Sequence, residues 1–348
     1  MNELKCTIPK GSWVLITGAN GFLASHTAKQ FLERGFKVRG TVRNLEKSSW
    51  LIEDTFKAYA ERGDFQLVQV PDIAIEHAFD DAVKDVSAIA HIASVGGFDP
   101  NPHNVIPQVV SAVTSLLEAA LKEPSVREFV YTSSIAACAM PTPEDTTHIG
   151  PDTWNDMAVQ LAWAPPPYDP SRGFLVYMAS KAEAEKALWK FVNERKPRFG
   201  VNSVFPSSII GGYLNKGQAE TPYAFIKTIY DGKKDALAAV PATFTVISND
   251  VKDCALLHVA AVLDPEVKNE RLPGWGEYCN WNDILAIMRR LYPDRKFIDD
   301  LPGLTKLQVT TDSTQSLALL KKWGGQKGWK PLEVTVADSM RSIIKWYP

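Results

Sequence analysis

The chain has 348 residues, 45% of them hydrophobic and 22% charged, an ordinary globular composition with enough apolar material for a sizeable core. Its 38 basic residues against 40 acidic ones leave a net charge of -2, which gives no electrostatic footprint for nucleic acid or an anionic membrane. Four scattered cysteines show no metal-ligand spacing, and the N-terminal "MNELKCTIPKGSW" has no signal-peptide core, so a cytoplasmic, metal-free handler of small molecules is expected.

The first two thirds alternate short apolar runs with helical patterns. Strands are expected at "WVLIT", "KVRGTVR", "FQLVQV", "AIAHIAS", "EFVYTSS" and "VNSVFPSSII", with helices near 22–34, 46–62, 75–84, 104–122 and 177–195. This is the order of an α/β, Rossmann-type doubly wound parallel sheet, whose ligands bind beyond the C-terminal strand ends. The proline-rich stretch 140–174 shows no clear period. The expected division is a cofactor-binding domain over 1–212 and a smaller, mostly helical substrate lobe over 213–348, some of whose segments return to the first domain. In that lobe a strand "FTVIS" and helices near 251–262, 282–292, 313–323 and 333–346 are read.

"VLITGANGFLASHTAKQFLERG" reads as strand, tight turn and helix. Gly18 and Gly21 permit close approach of backbone to a pyrophosphate at the helix N-terminus, and Asn20, Phe22 and Leu23 complete the cradle. At the end of the second strand NAD usually meets an acid, but Val42 stands there with Arg43 beside it. Arg43, assisted by Lys47, suits a 2'-phosphate, which favours NADP. Asp72 and Ile73, after the third strand, read either as an adenine contact or as a helix cap. Ala93 and Ser94, after the fourth, are small enough to let backbone lie along a cofactor.

The fifth strand ends in Thr132, Ser133 and Ser134. The helix "VYMASKAEAEKALWKFVNE" places Glu183, Lys186, Lys190, Asn193 and Glu194 on a polar side, with Ala184, Leu188 and Phe191 opposite. Tyr177 and Lys181 fall on the apolar stripe, an anomaly for a lysine. Its use is chemical: at i and i+4 the ammonium favours the phenolate and pulls the tyrosine down from about 10. Such a tyrosine suits proton delivery to a developing alkoxide, with Ser134 as second donor and Lys181 also on the nicotinamide ribose.

"TGANGFLAS", "TSS" and "YMASK", in this order, resemble the extended short-chain dehydrogenases/reductases. "KVRGTVRN", "AHIASV" and "PSVREFVYTSS" are similar to fungal NADPH-dependent aldehyde and ketone reductases related to the dihydroflavonol reductases. The resemblance implies Tyr177 as proton donor, Lys181 as its partner, Ser134 as the substrate-polarising hydroxyl, Ser133 at the cofactor, and Pro206 and Ser208 beside the nicotinamide. The expected function is NADPH-dependent reduction of aldehydes and ketones by a monomer or homodimer. Val95, Phe98, Trp163, Tyr223 and Phe225 are candidate pocket walls. The rivals are a nucleotide-sugar epimerase, against which the second lobe shows no obvious basic cluster for a diphosphate although Lys227, Lys233 and Lys234 could supply one, a hydroxysteroid dehydrogenase, and a non-catalytic NADP-sensing regulator.

Overall fold

A computed structural model describes residues 4–139, 142, 144–221, 224–233 and 247–348. The chain divides into two compact units. The first comprises Met1–Met140, Gly150–Phe205 and His258–Leu272, and the second Pro141–Ile149, Pro206–Leu257 and Pro273–Pro348.

The first unit is organised by strands β1 (Trp13–Ile16), β2 (Lys37–Val42), β3 (Phe65–Gln69), β4 (Ala88–His91), β5 (Glu128–Thr132), β7 (Gly200–Pro206) and β10 (Arg271–Gly274); β6 (His148–Ile149) lies apart. The seven form one sheet in the order β3-β2-β1-β4-β5-β7-β10. The pairs from β3 to β7 are parallel, and β10 runs in step with β7, since Ser203 N–H donates to Glu270 O and Ser207 N–H to Gly274 O. The order reverses between β1 and β4, and that reversal opens a ligand crevice at their C-terminal ends.

Helix α1 (Phe22–Glu33) follows β1, and α3 (Pro102–Lys122) and α5 (Gly173–Arg195) pack together. Helix α3 has the length and mean hydropathy, 1.3, to cross a bilayer. Here Val105, Ile106, Val109, Val113, Leu116 and Leu117 spend that apolar surface in the core, with Leu15, Ile89, Phe129 and Leu188.

Several local expectations are corrected. The span 46–62 is no continuous helix: a 3-10 turn (Glu46–Ser48), a π-turn (Leu51–Thr55) and α2 (Lys57–Glu61) divide it. Phe56, at φ -117°, breaks the run to bury its ring against Phe65. Residues 75–84 form turns and not a helix. The helix-like spacing of Phe79, Ala82 and Val83 still buries all three, but His77 at φ 66° opens the segment in a left-handed conformation that a helix excludes. Within the proline-rich stretch, α4 (Asp156–Ala162) forms behind the cap Asn155. Arg172 then gathers the following prolines by donating to the carbonyls of Leu161, Ala162, Ala164, Pro165 and Pro167. Helix α5 begins at Gly173, so Tyr177 lies in its second turn rather than its first. Strand β10 was not expected, because Pro273 and Gly274 disguise it; it takes the sheet edge, where a missing N–H is tolerated.

Among the described residues, the second unit holds two small parallel pairs. Strand β8 (Ser208–Ile210) pairs with β9 (Ser248–Asp250), and β11 (Thr310–Thr311) with β6. Among the described residues its helices are α6 (Phe225–Tyr230), the start of α7 (Val251–Leu263), α8 (Trp281–Leu291), α9 (Thr314–Gly324) and α10 (Leu332–Trp346). Helix α8 opens with a reciprocal Asn280–Asp283 capping box. Of the strand expected over 244–248, residues 244–246 lie outside the described residues; Ser248 begins β9.

Candidate active site

The glycine turn after β1 is fixed by what surrounds it. Gly18 has φ +65°, and a Cβ there would come within 3.0 Å of the Ala93 Cβ, so both its conformation and its packing ask for glycine. Gly18 N–H donates to the Thr41 hydroxyl at 3.2 Å and Ala19 N–H to the Thr41 carbonyl at 2.9 Å. Gly40 allows the approach: a Cβ there would lie 2.6 Å from that of Ala19. A glycine inside a strand pattern is the signal that could have revealed this.

Gly21 occupies the N-cap of α1 without a side-chain cap, and no acidic residue stands in the first helical turn. The Phe22 backbone therefore starts a helix end suited to an anion. Asn20 is exposed at the tip, Phe22 is half-buried and Leu23 is buried in the next positions.

On the β4 side, Thr17 pins the strand end. Its hydroxyl accepts from Ile92 N–H and Ala93 N–H at 3.0 and 2.9 Å, and lies 2.9 Å from His91 Nδ1. With both acceptor positions used, its proton goes to Nδ1, which makes His91 the Nε2–H tautomer. Burial first, and Lys181 second, push His91 down to about 3, so the ring is neutral. Ser94 follows, half-buried.

Arg43 and Lys47 are exposed beyond the end of β2, and Lys47 N–H caps onto the Asn44 side chain. Asp72 is exposed and accepts from Ala74 N–H at 2.9 Å, capping a turn where no helix follows. Ile73 packs partly buried against the core.

Strand β5 delivers the hydroxyl residues. Ser134, buried, is the cap of the 3-10 turn Ile135–Ala137 and accepts from Ala136 N–H at 3.1 Å, which leaves its own proton to give. Asn155 clamps that turn through Ala136 O and Ala137 O. The Ser133 hydroxyl donates to Glu185 Oε2 at 2.5 Å, in the interior.

Lys181 on α5 is 6% exposed, and its Nζ donates to the Thr132 carbonyl at 3.4 Å with the Tyr131 ring 5.8 Å away. Burial pulls the ammonium down to about 8, and Glu185 opposes the drop. Tyr177, one turn earlier, packs with Ala136, Met178 and Phe174, which brings its helix face to the turn that Ser134 begins. Phe98, exposed after β4, sets its ring 5.8 Å from that of Tyr177, and Phe174 lies 6.0 Å away.

The other wall candidates diverge. Val95 packs on the core, Trp163 donates to Glu183, and Phe225 is buried against Trp281 within the second unit. Tyr223 lies outside the described residues. Pro206 ends β7 and Ser208 begins β8, both in the second unit.

Sequence reasoning missed Thr17, Gly40, Thr41, His91, Glu185 and Arg271. Except for Gly40, their partners are too distant in sequence for local spacing to show.

The family model "NAD dependent epimerase/dehydratase family" matches residues 14–267. The chain is 38% identical over 343 residues to "NAD-dependent epimerase/dehydratase terH" of Aspergillus terreus, covering 97% of each. It is 35% identical to "Aldehyde reductase 2" of Sporidiobolus salmonicolor, covering 96% of this chain and 97% of the other. The solved structure of yeast methylglyoxal/isovaleraldehyde reductase Gre2 complexed with NADPH superposes with a TM-score of 0.77 at 25% identity, covering 96% and 98%. With the family match running from the first strand to the segment before β10, the chain belongs to the NAD dependent epimerase/dehydratase family, on the Rossmann-type sheet its strand order displays.

Proposed function

We propose that this protein reduces small aldehydes and ketones to alcohols with NADPH, using Tyr177 as the proton donor. The reductase relatives and the NADPH-bound neighbour support reaction and cofactor. The observation that carries the residue assignment is Lys181, an amine kept in the interior at the Thr132 carbonyl, one helical turn from Tyr177 and beside the strand end that bears Ser134.

The residues fit the cofactor. The cradle at Gly18 is one that a Cβ would fill, and α1 presents an N-terminus without acids. Gly18, Asn20, Gly21, Phe22 and Leu23 would hold the pyrophosphate, Arg43 and Lys47 the 2'-phosphate, Asp72 and Ile73 the adenine, and Ala93 and Ser94 the nicotinamide half. When bound, the reduced nicotinamide supplies a hydride to the carbonyl carbon. Ser134 and Tyr177 orient the carbonyl oxygen by donating to it, and Tyr177 then releases its proton to that oxygen. Lys181, as ammonium, stabilises the phenolate left behind. Phe98 and Phe174 offer an apolar wall beside the phenol, which suits carbonyl compounds with an aromatic or bulky apolar group.

Of the cations the epimerase alternative would use, Lys227 and Lys233 both already pair with Asp231, at 2.5 and 3.2 Å, while Lys234 lies outside the described residues. A monomer or homodimer in the cytoplasm completes the proposal; the four free cysteines suit a reducing compartment.

The test is NADPH consumption over a panel of aryl aldehydes, aryl ketones and β-keto esters, with a nucleotide sugar as contrast. Tyr177→Phe is expected to keep NADPH binding, read by calorimetry, while turnover drops by about a thousandfold or more, as expected when acid catalysis is removed. Undiminished turnover would remove Tyr177 from the reaction.

A further inference from the structure

Behind Lys181 lies an ionic assembly that the proton-transfer chemistry does not use directly. Glu185, one turn further along α5, is 0% exposed. Its carboxylate accepts from Ser133 Oγ at 2.5 Å, Ser203 Oγ at 2.6 Å, and Arg271 Nε and Nη2 at 2.9 and 3.0 Å, with Trp189 Nε1 at 3.4 Å. Arg271 is itself enclosed: it donates to the Pro151 and Thr153 carbonyls and to Cys138 Sγ, and its guanidinium lies 3.9 Å from the Trp154 ring centre. Burial alone would lower the guanidinium, and Glu185 more than offsets it. One carboxylate thus joins α5, β5, β7 and β10. It grips β5 at Ser133, between Thr132, whose carbonyl takes Lys181, and Ser134.

A buried carboxylate is costly unless fully satisfied, and a fork of charge-assisted bonds is the strongest way to satisfy it. Such an arrangement fixes position and charge together. We propose that the Glu185–Arg271 pair is a positioning device for Lys181 and for the strand end carrying Ser134, with Glu185 as the anion that keeps Lys181 protonated and Arg271 as the group that aims it. This rests on the reductase reading of Lys181.

Among the described residues, the other groups facing Lys181 supply no such anion. From β4 it faces His91, neutral as described, and from β5 Tyr131, whose phenol burial holds well above its ordinary range. On its own helix stand Tyr177 and Glu185. From α7, His258 reaches the same strand end through the Thr132 hydroxyl at 2.8 Å. Cys138, pushed up to about 12 chiefly by burial, stays a neutral thiol behind Arg271.

The experiment is an NMR titration of Lys181 in cofactor-free protein labelled at lysine 13Cε, with Lys181→Arg for assignment. Because it needs no turnover, its failure is separable from failure of the reductase reading. Glu185→Gln is expected to move the Lys181 titration acidward by about one pH unit, since a neighbouring anion is removed. The alkaline limb of kcat should move with it, while KM for the carbonyl substrate changes less than about twofold, because no substrate contact is lost. Ser203→Ala, which removes a donor and no charge, should leave the titration in place and lower only Tm. An unmoved Lys181 titration in folded Glu185→Gln overturns the proposal. If that variant does not fold, Glu185→Asp decides: the charge remains but its tie to Ser133 lengthens. A kcat reduced about tenfold with Lys181 titrating as in the wild type supports positioning, and a wild-type kcat overturns it.

Discussion

At the glycine turn, Gly18 and Gly40 set the backbone by the atoms they lack, and the ties around them are neutral: Thr41 to Gly18, and Thr17 to His91, Ile92 and Ala93. At the junction of β5 and α5 the ties are ionic, with Glu185 clasped by Arg271 and two serine hydroxyls. The two regions sit on one sheet and serve opposite electrostatic needs. A turn that receives phosphate has to be shaped without carboxylates, which would repel the ligand. A lysine that must stay protonated in the interior needs an anion close by. The difference teaches that the two halves should fail differently when altered.

The largest effect short of removing Tyr177 is expected from Gly40→Ala. The new methyl would meet Ala19 at 2.6 Å and Leu67 at 3.1 Å. Overpacking of this kind costs about 1–3 kcal/mol. Thermal unfolding and NADPH calorimetry should both register it, whereas the Lys181 titration should not move. A shift of that titration would show that the two regions are mechanically one.

The neutral half also has its own pH signature. His91 has a folded pKa of about 3 against an ordinary 6.5. Below about pH 6.5 the unfolded chain binds a proton that the folded one refuses, so the stability contributed is whole above that pH. It is lost progressively as pH falls toward 3, by at most about 1.4 kcal/mol per pH unit. His91→Asn keeps an acceptor for Thr17 and cannot titrate. Urea denaturation between pH 6.5 and 5 should show a flatter slope in that variant, and an identical slope would mean His91 is not the group responsible.

The smallest effect sharpens the comparison at the rim. Arg43 is the exposed charge beside the neutral turn. Arg43→Ala is expected to weaken NADPH binding about tenfold at low salt, and less at high salt, with NADH little changed. Equal losses for both cofactors would overturn its assignment to the 2'-phosphate.

How far the fold was legible follows from the range of the forces involved. Period-two and period-3.6 patterns located β1 to β5, α1, α3 and most of α5, because each buries its own stripe, whereas the single strand expected over 201–210 divides after Pro206 into β7 of the large sheet and β8 of a separate pair. The same pattern misled at 75–84, where Phe79, Ala82 and Val83 are buried by successive turns. It also misled at 46–62, where burying Phe56 outweighed helix continuity. Helix α5 starts four residues before its expected beginning at 177, and Arg172 at the N-cap offers no side-chain cap to mark that start.

Within the site, glycine stereochemistry and the i, i+4 pair Tyr177–Lys181 were readable because both are local. The sequence alone determined the alternation of strand and helix, the phosphate-type turn, and that one lysine sits on a face built for the interior. Only the tertiary structure decided what keeps that lysine there. Glu185 and Arg271 are 86 residues apart, and Thr17 and His91 are separated by 74. Charge and hydrogen-bond partners at such separations are chosen by how strands are ordered in the sheet, and no local period records that order.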